Sequence, residues 1–260
     1  MPRLPSSVAS PARAALAALV AAACASASPG SAPLSASATR VPRELRVLVY
    51  NMHAGKDAAG ADNLPRIAAF VRETGADLVL LQEVDRGTRR SGGVDQPATL
   101  RRLTGYHAAF GKTLDYDGGE YGIALLSRWP VVRDTVVRLP VDPPQERAGG
   151  SYEPRGALVA TVAAPGGALT LVDTHLDPSR DDRWRRQEVR AVVAIADSAR
   201  RGGAARLLVG GDFNSTPESA VQDEARRGGL RDAWATCGRG DGLTYPADSA
   251  VKRIDYLYLT

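Results

Sequence analysis

The run Leu207-Leu-Val-Gly-Gly-Asp-Phe-Asn214 constrains this chain more than any other stretch: three apolar residues lead into two glycines, an acid and an amide. It reads as a buried strand that stops where Asp212 and Asn214 are held out together, because side chains two apart on a strand project the same way. Phe213 then turns into the core. The glycines let the backbone bend and pass close to a ligand. An ordinary Asx turn after a strand accounts for the same residues, since Gly, Asp and Asn are the commonest turn formers. The choice between turn and site rests on whether other strand ends carry chemistry to the same place.

They do. The apolar run 45–50 delivers Asn51, Met52 and His53, and the buried run 77–82 ends in Glu83. A helix is expected at 64–74, capped by Asn63, with Pro65 in its first turn and Gly75 stopping it. Residues 98–104 read as a short helix, 123–127 and 131–139 as strands, and 156–162 with 168–172 as a hairpin across Pro165-Gly-Gly167. The second hairpin strand leads into Asp173-Thr-His175. An amphipathic helix at 182–201, a helix at 219–228 and an apolar run at 254–259 complete the pattern. Strands outnumber helices, and antiparallel connections mix with helical crossovers. The expected fold is α/β, with two mostly antiparallel sheets packed face to face and helices outside.

Residues 1–24 are laid out as a secretory signal, with Arg3 and Arg13 ahead of an Ala- and Leu-rich run that reaches Cys24. Cleavage before Cys24, which would then carry lipid, and ordinary signal cleavage both fit. The expected location is therefore secreted, periplasmic or lipid-anchored at the membrane through Cys24. A Ser-, Ala- and Pro-rich linker follows at 25–43, and the functional domain is expected at 44–260. Cys237 is then the one remaining cysteine, so no disulfide framework exists. Two of the arginines behind the net charge of +4 lie in the leader, which leaves too little to argue for nucleic acid on charge alone.

The strand ends supply carboxylates and amides, hard oxygen donors suited to Mg²⁺ or Mn²⁺. With only three His and no close His pair, the chain does not read as a zinc protein.

Six segments, Asn51-Met-His53, Gln82-Glu83, Glu120-Tyr-Gly-Ile-Ala-Leu-Leu-Ser127, Asp173-Thr-His-Leu-Asp177, Gly211-Asp-Phe-Asn214 and Arg253-Ile-Asp-Tyr256, occur in the order and rough spacing of one superfamily. In them the chain resembles the endonuclease/exonuclease/phosphatase proteins, with a DNase I-like four-layer sandwich. The resemblance implies that Glu83, helped by Asn51, holds Mg²⁺ (or Mn²⁺) against a phosphate oxygen. It implies that His175 hydrogen-bonds the phosphate or protonates the leaving oxygen, with Glu120 orienting the imidazole. Asp212 would position or deprotonate the attacking water, Asn214 would bind phosphate and fix Asp212, and Asp255 would pair with a further His. Arg155 either adds charge against the phosphate or is an ordinary ion-pair partner.

The implied function is metal-dependent hydrolysis of a phosphate ester by in-line attack of water. The substrate is a phospholipid head group, a nucleic acid or a small phosphoester, and no protein partner is implied. The loops expected to choose among these lie at 54–61, 85–97 and 115–119. The superfamily pattern continues past Tyr256 with a Ser-Asp-His segment on a closing strand, and this sequence stops at Thr260. The expectation is a domain truncated at its C-terminus, lacking that strand and leaving a sheet edge bare. A non-catalytic relative that binds phosphorylated ligands, or a truncated inactive product, is the alternative.

Overall fold

The computed structural model describes residues 44–145, 148 and 150–260. The signal and linker expected at 1–43 lie outside the described residues.

Alternation along single strands dictates the layering. In β2 (Leu78–Arg86), Leu78 and Leu80 face the second sheet, whereas Val79 and Leu81 face the helices α1 (Leu64–Thr74) and α2 (Gln96–Thr104). A strand hydrophobic on both faces is satisfied only between two layers. β1 (Val47–Asn51), β3 (His107–Tyr116) and β4 (Gly119–Ser127) complete a four-stranded sheet in the order β1-β2-β4-β3.

The six-stranded sheet runs β5-β6-β7-β8-β10-β9. Its strands are β5 (Val131–Arg138), β6 (Gly156–Val162), β7 (Leu169–His175), β8 (Leu207–Asp212), β9 (Arg231–Asp232) and β10 (Asp255–Leu259). Leu158, Ala160, Leu169 and Leu171 meet the first sheet in the central core. On the outer face, Val172, Val209, Phe213, Tyr256 and Tyr258 pack under α3 (Arg183–Arg201) and α4 (Ala220–Arg227) through Val189, Val192, Ala196, Val221 and Ala225. Each of these valines taken from water stabilises the fold by about 1.5–3 kcal/mol. The result is the four-layer α/β sandwich expected from the sequence, with one parallel pair in each sheet, β1 with β2 and β7 with β8.

Boundaries differ where the ladder outlasts the apolar run. β2 continues through Glu83 to Arg86, and β7 continues to His175. The connection expected near 230–234 holds the two-residue β9 and the short helix α5 (Ala233–Cys237). β9 pairs with β10 at Tyr258 and Leu259, so that edge is partly covered rather than bare.

The two glycines of β8 are required by the close approach of the strands around them. A Cβ on Gly210 would stand 2.7 Å from Leu80 Cδ1 across the sandwich. Gly211 has φ +137°, and its Cβ would lie 1.9 Å from the carbonyl oxygen of Thr174 on β7.

Candidate active site

Asn51 ends β1, Glu83 lies in β2, His175 ends β7, Asp212 ends β8 and Asp255 begins β10. Register brings them together: Asp212 is the direct partner of His175 on one side and of Asp255 on the other. Glu83 reaches the group through an irregularity. The β2–β4 register shifts between Leu81 and Val84, and Glu83 sits there with φ +57°, a bulge that re-aims its side chain. Asn51 Nδ2 donates to Glu83 Oε1 at 2.9 Å and to Asp212 Oδ2 at 3.3 Å, so one amide ties the two sheets at the site.

The turn reading of the Asp212–Asn214 segment holds. Asn214 N donates to Asp212 Oδ1 at 2.9 Å, an Asx turn, and Asn214 has φ +47°. The other Asp212 oxygen meanwhile faces the site, 3.7 Å from His175 Nε2. Phe213 is fully buried against Tyr256 and Tyr258, and Tyr256 Oη donates to the carbonyl of Ser215 at 2.8 Å, pinning the chain beyond Asn214.

Burial sets the ionisation. Burial, then the neighbouring Asp255 carboxylate, raises the Asp212 pKa to about 7, and burial raises Asp255 to about 6. His175 is held well below its ordinary value by burial and the nearby Arg155 charge, so its imidazole is neutral at pH 7.

Among the described residues, no three His, Cys, Asp or Glu side chains close into a ready-made cation cage. Mg²⁺ does not require one, since it keeps waters and commonly takes one or two carboxylates plus substrate oxygens. Glu83, and Asp255 with its buried, unpartnered Oδ1, are donors of that kind. Asn51 is held between the loop and the two carboxylates. Its Oδ1 accepts from His53 N at 3.1 Å and its nitrogen faces the carboxylates, so in this arrangement it clamps Glu83.

Glu120 departs from expectation. Its carboxylate pairs with Arg86 and, at 3.7 Å, with Lys112, and it makes no hydrogen bond to His175, whose Nδ1 is buried without a partner. The reason is strand parity. Tyr121, the next residue of β4, lines a narrow cavity with Glu153, Arg155 and His175. Arg155 is buried and pairs with Glu153 at 3.1 Å, so the ion-pair role is realised on the wall of the same cavity as His175. The loop holding this pair is tied down by Asp177, which accepts from Tyr152 N and gives its own N–H to Glu188 at 2.8 Å.

The arginines of the 85–97 loop are taken up internally: Arg86 by Glu120, Arg89 by Asp117 at 2.9 Å and Arg90 by Asp85 at 2.7 Å. His53 and His107 are exposed. Sequence reasoning passed over Tyr121, although it lies inside a quoted motif, and the buried bond from Gln82 Nε2 to Asp173 Oδ1, 2.7 Å, which joins the sheets behind the site.

Residues 48–260 match the sequence model of the Endonuclease/Exonuclease/phosphatase family. The chain is 27% identical over 225 residues to the uncharacterized protein YbhP of Escherichia coli K12, covering 82% of this chain and 84% of that protein. Among solved structures, it resembles an endonuclease/exonuclease/phosphatase from Beutenbergia cavernae at 27% identity and TM-score 0.65, covering 83% of this chain and 64% of that one. It also shares its fold with a mannosyl-6-phosphatase of Bacteroides thetaiotaomicron, at 20% identity and TM-score 0.67, over 84% and 85% of the two chains. The human Nocturnin catalytic domain with a bound sulfate anion is similar at 18% identity and TM-score 0.60, over 82% of each chain. A match across nearly the whole described domain, on the strands that carry these side chains, makes this chain a member of the endonuclease/exonuclease/phosphatase family.

Proposed function

We propose that this site hydrolyses phosphate esters with the help of Mg²⁺ or Mn²⁺, by in-line attack of water. The observation that carries the reading is the Asn51 amide joining Glu83 to Asp212, with His175 and Asp255 directly beside Asp212. Glu83 and Asp255 would hold the cation, which when bound supplies Lewis-acid polarisation of the phosphoryl group. Asn51 keeps Glu83 in place. Asp212, with a pKa near neutrality, accepts the proton of the attacking water and is fixed by Asn214. His175 donates a hydrogen bond to a phosphate oxygen, and Arg155 adds positive charge from behind it.

A panel of plasmid DNA, bis-p-nitrophenyl phosphate, sugar phosphates, inositol phosphates and sphingomyelin, assayed with Mg²⁺ or Mn²⁺, tests the activity and selects the substrate. Turnover of at least one substrate that EDTA and Glu83→Ala both abolish is expected. Phosphate binding without turnover of any member would instead favour the non-catalytic relative. Export and attachment through Cys24 are tested separately, by fractionating cells that express the full chain or Cys24→Ala.

A further inference from the structure

Chain direction sorts the charge of this molecule between its two ends. Strands β1, β2, β7 and β8 all run toward the site, and each is followed by a helix, α1, α2, α3 or α4, that runs back. The four helix C-termini therefore lie at the end opposite the site. There, Arg46 ahead of β1, Arg72 of α1, Arg101 and Arg102 of α2, Arg201 of α3 and Arg231 of β9 are exposed, and none has an acid partner among the described residues. Asp77, Asp197, Asp223 and Glu224 are each paired with another arginine, which leaves Glu44 and Glu73 to oppose them. The connections 105–106, 128–130, 163–168, 202–206 and 228–230 contain no Asp or Glu. The helix dipole favours a basic residue in a last turn, and so explains Arg72, Arg101, Arg102 and Arg201. It explains neither Arg46 nor Arg231, nor the acid-free connections. At the site end the loops carry Asp57, Asp62, Asp95 and Asp181 in addition to Glu83 and Asp212.

We propose that this arginine-rich end docks on an anionic membrane surface and holds the domain with its active site turned away from the lipid. The arginines come from all four layers of the sandwich, which suits a broad sheet of head groups better than one small anion. The chain also enters the described domain here, through Glu44 and Leu45 into β1. The linker expected at 25–43 therefore joins this end, and an anchor at Cys24 would bring the arginines, not the site, to the head groups. Each arginine beside an anionic surface strengthens binding about fivefold. A duplex nucleic acid offers similar charge, but as a substrate it would have to reach the acid-bearing opposite end. The docking follows from fold and charge and does not depend on what the site hydrolyses. If the phosphoesterase reading above holds, soluble phosphoesters reach the site more readily than head groups of the same membrane.

Cosedimentation of the full chain carrying Cys24→Ala, with vesicles of phosphatidylcholine alone or with about one-third phosphatidylglycerol, tests the docking without any substrate. Tighter binding to the anionic vesicles, weakening as salt rises, is expected. The triple variant Arg101→Gln/Arg102→Gln/Arg201→Gln should remove that preference, weakening binding about a hundredfold, whereas Lys56→Gln/Arg239→Gln/Lys252→Gln, which removes equal charge at the site end, should leave it within about threefold. The three substituted arginines are exposed, so the folded state is not at stake. Equal binding to both kinds of vesicle, or equal losses in the two triple variants, overturns the proposal. So does binding to duplex DNA that is tighter than to the anionic vesicles and depends on the same three arginines, which would make this end a nucleic-acid surface. Turnover by the site, present or absent, leaves these outcomes unchanged.

Discussion

Asp212 and Asp255 stand directly opposite each other across the β8–β10 pair, one carboxyl buried and the other half-buried, their charges opposing one another, with Asp255 Oδ1 left without a partner. Such a pair holds protons that a solvated acid would release, or waits for a cation.

Both carboxyls therefore bind protons more tightly in the fold than in the unfolded chain, where the usual value is about 4. The stability this contributes is complete below about pH 4 and is lost as pH rises through about 6 for Asp255 and about 7 for Asp212. In EDTA, Tm should fall by several degrees between pH 5 and pH 8, as scanning calorimetry would show. Adding Mg²⁺ should restore more at pH 8 than at pH 5; a Mg²⁺ effect independent of pH would contradict this coupling. Asp212→Asn should lower kcat by about 10²–10⁴-fold, the range for losing a general base.

Glu120 separates the geometry from the family expectation. Held by Arg86 and Lys112 on the opposite side of β4 from Tyr121, it is predicted to matter little. Kinetics of Glu120→Gln should show kcat within about threefold of wild type, under 1 kcal/mol of barrier. A loss of a hundredfold would place it back beside His175.

Gly211 should tolerate no side chain. With φ +137° and a Cβ position 1.9 Å from the Thr174 carbonyl oxygen, Gly211→Ala must push β7 and β8 apart. A cost of at least about 3 kcal/mol is expected, measured by denaturant unfolding or seen as insoluble expression. Gly210→Ala meets the end of the Leu80 side chain at 2.7 Å and the Tyr256 carbonyl oxygen at 3.0 Å, without a positive φ, and should be milder.

Asp173, raised well above the carboxylate range by burial, accepts from Gln82 between the sheets. Asp173→Asn keeps an acceptor of the same shape and should unfold at nearly the wild-type denaturant midpoint. Asp173→Leu strands the Gln82 amide, a loss of about 1–3 kcal/mol.

How much was legible in the chain follows from which properties are local. The unbroken apolar run Leu78 to Leu81 and the stripe of Val189, Val192 and Ala196 foretold a sheet buried on both faces under helices, because a strand apolar at every position has no solvent face and a helix buries residues three and four apart. The order of the motifs placed Asn51, Glu83, His175, Asp212 and Asp255 at one end of that sandwich. Nothing local could say that a bulge at Glu83 would turn it toward Asn51, or that Tyr121 rather than Glu120 would face His175. Parity is set by register against a neighbouring strand, and one extra residue reverses it. The loop arginines read alike in sequence, yet each found an acid, two of them on a distant segment and one nearby in its own loop. The near-neutral Asp212 and the neutral His175 are likewise products of desolvation, which only the packed sheets impose. The sequence by itself determined the layers and the chemistry available at their ends; tertiary structure decided which atoms meet there and which of them carry protons.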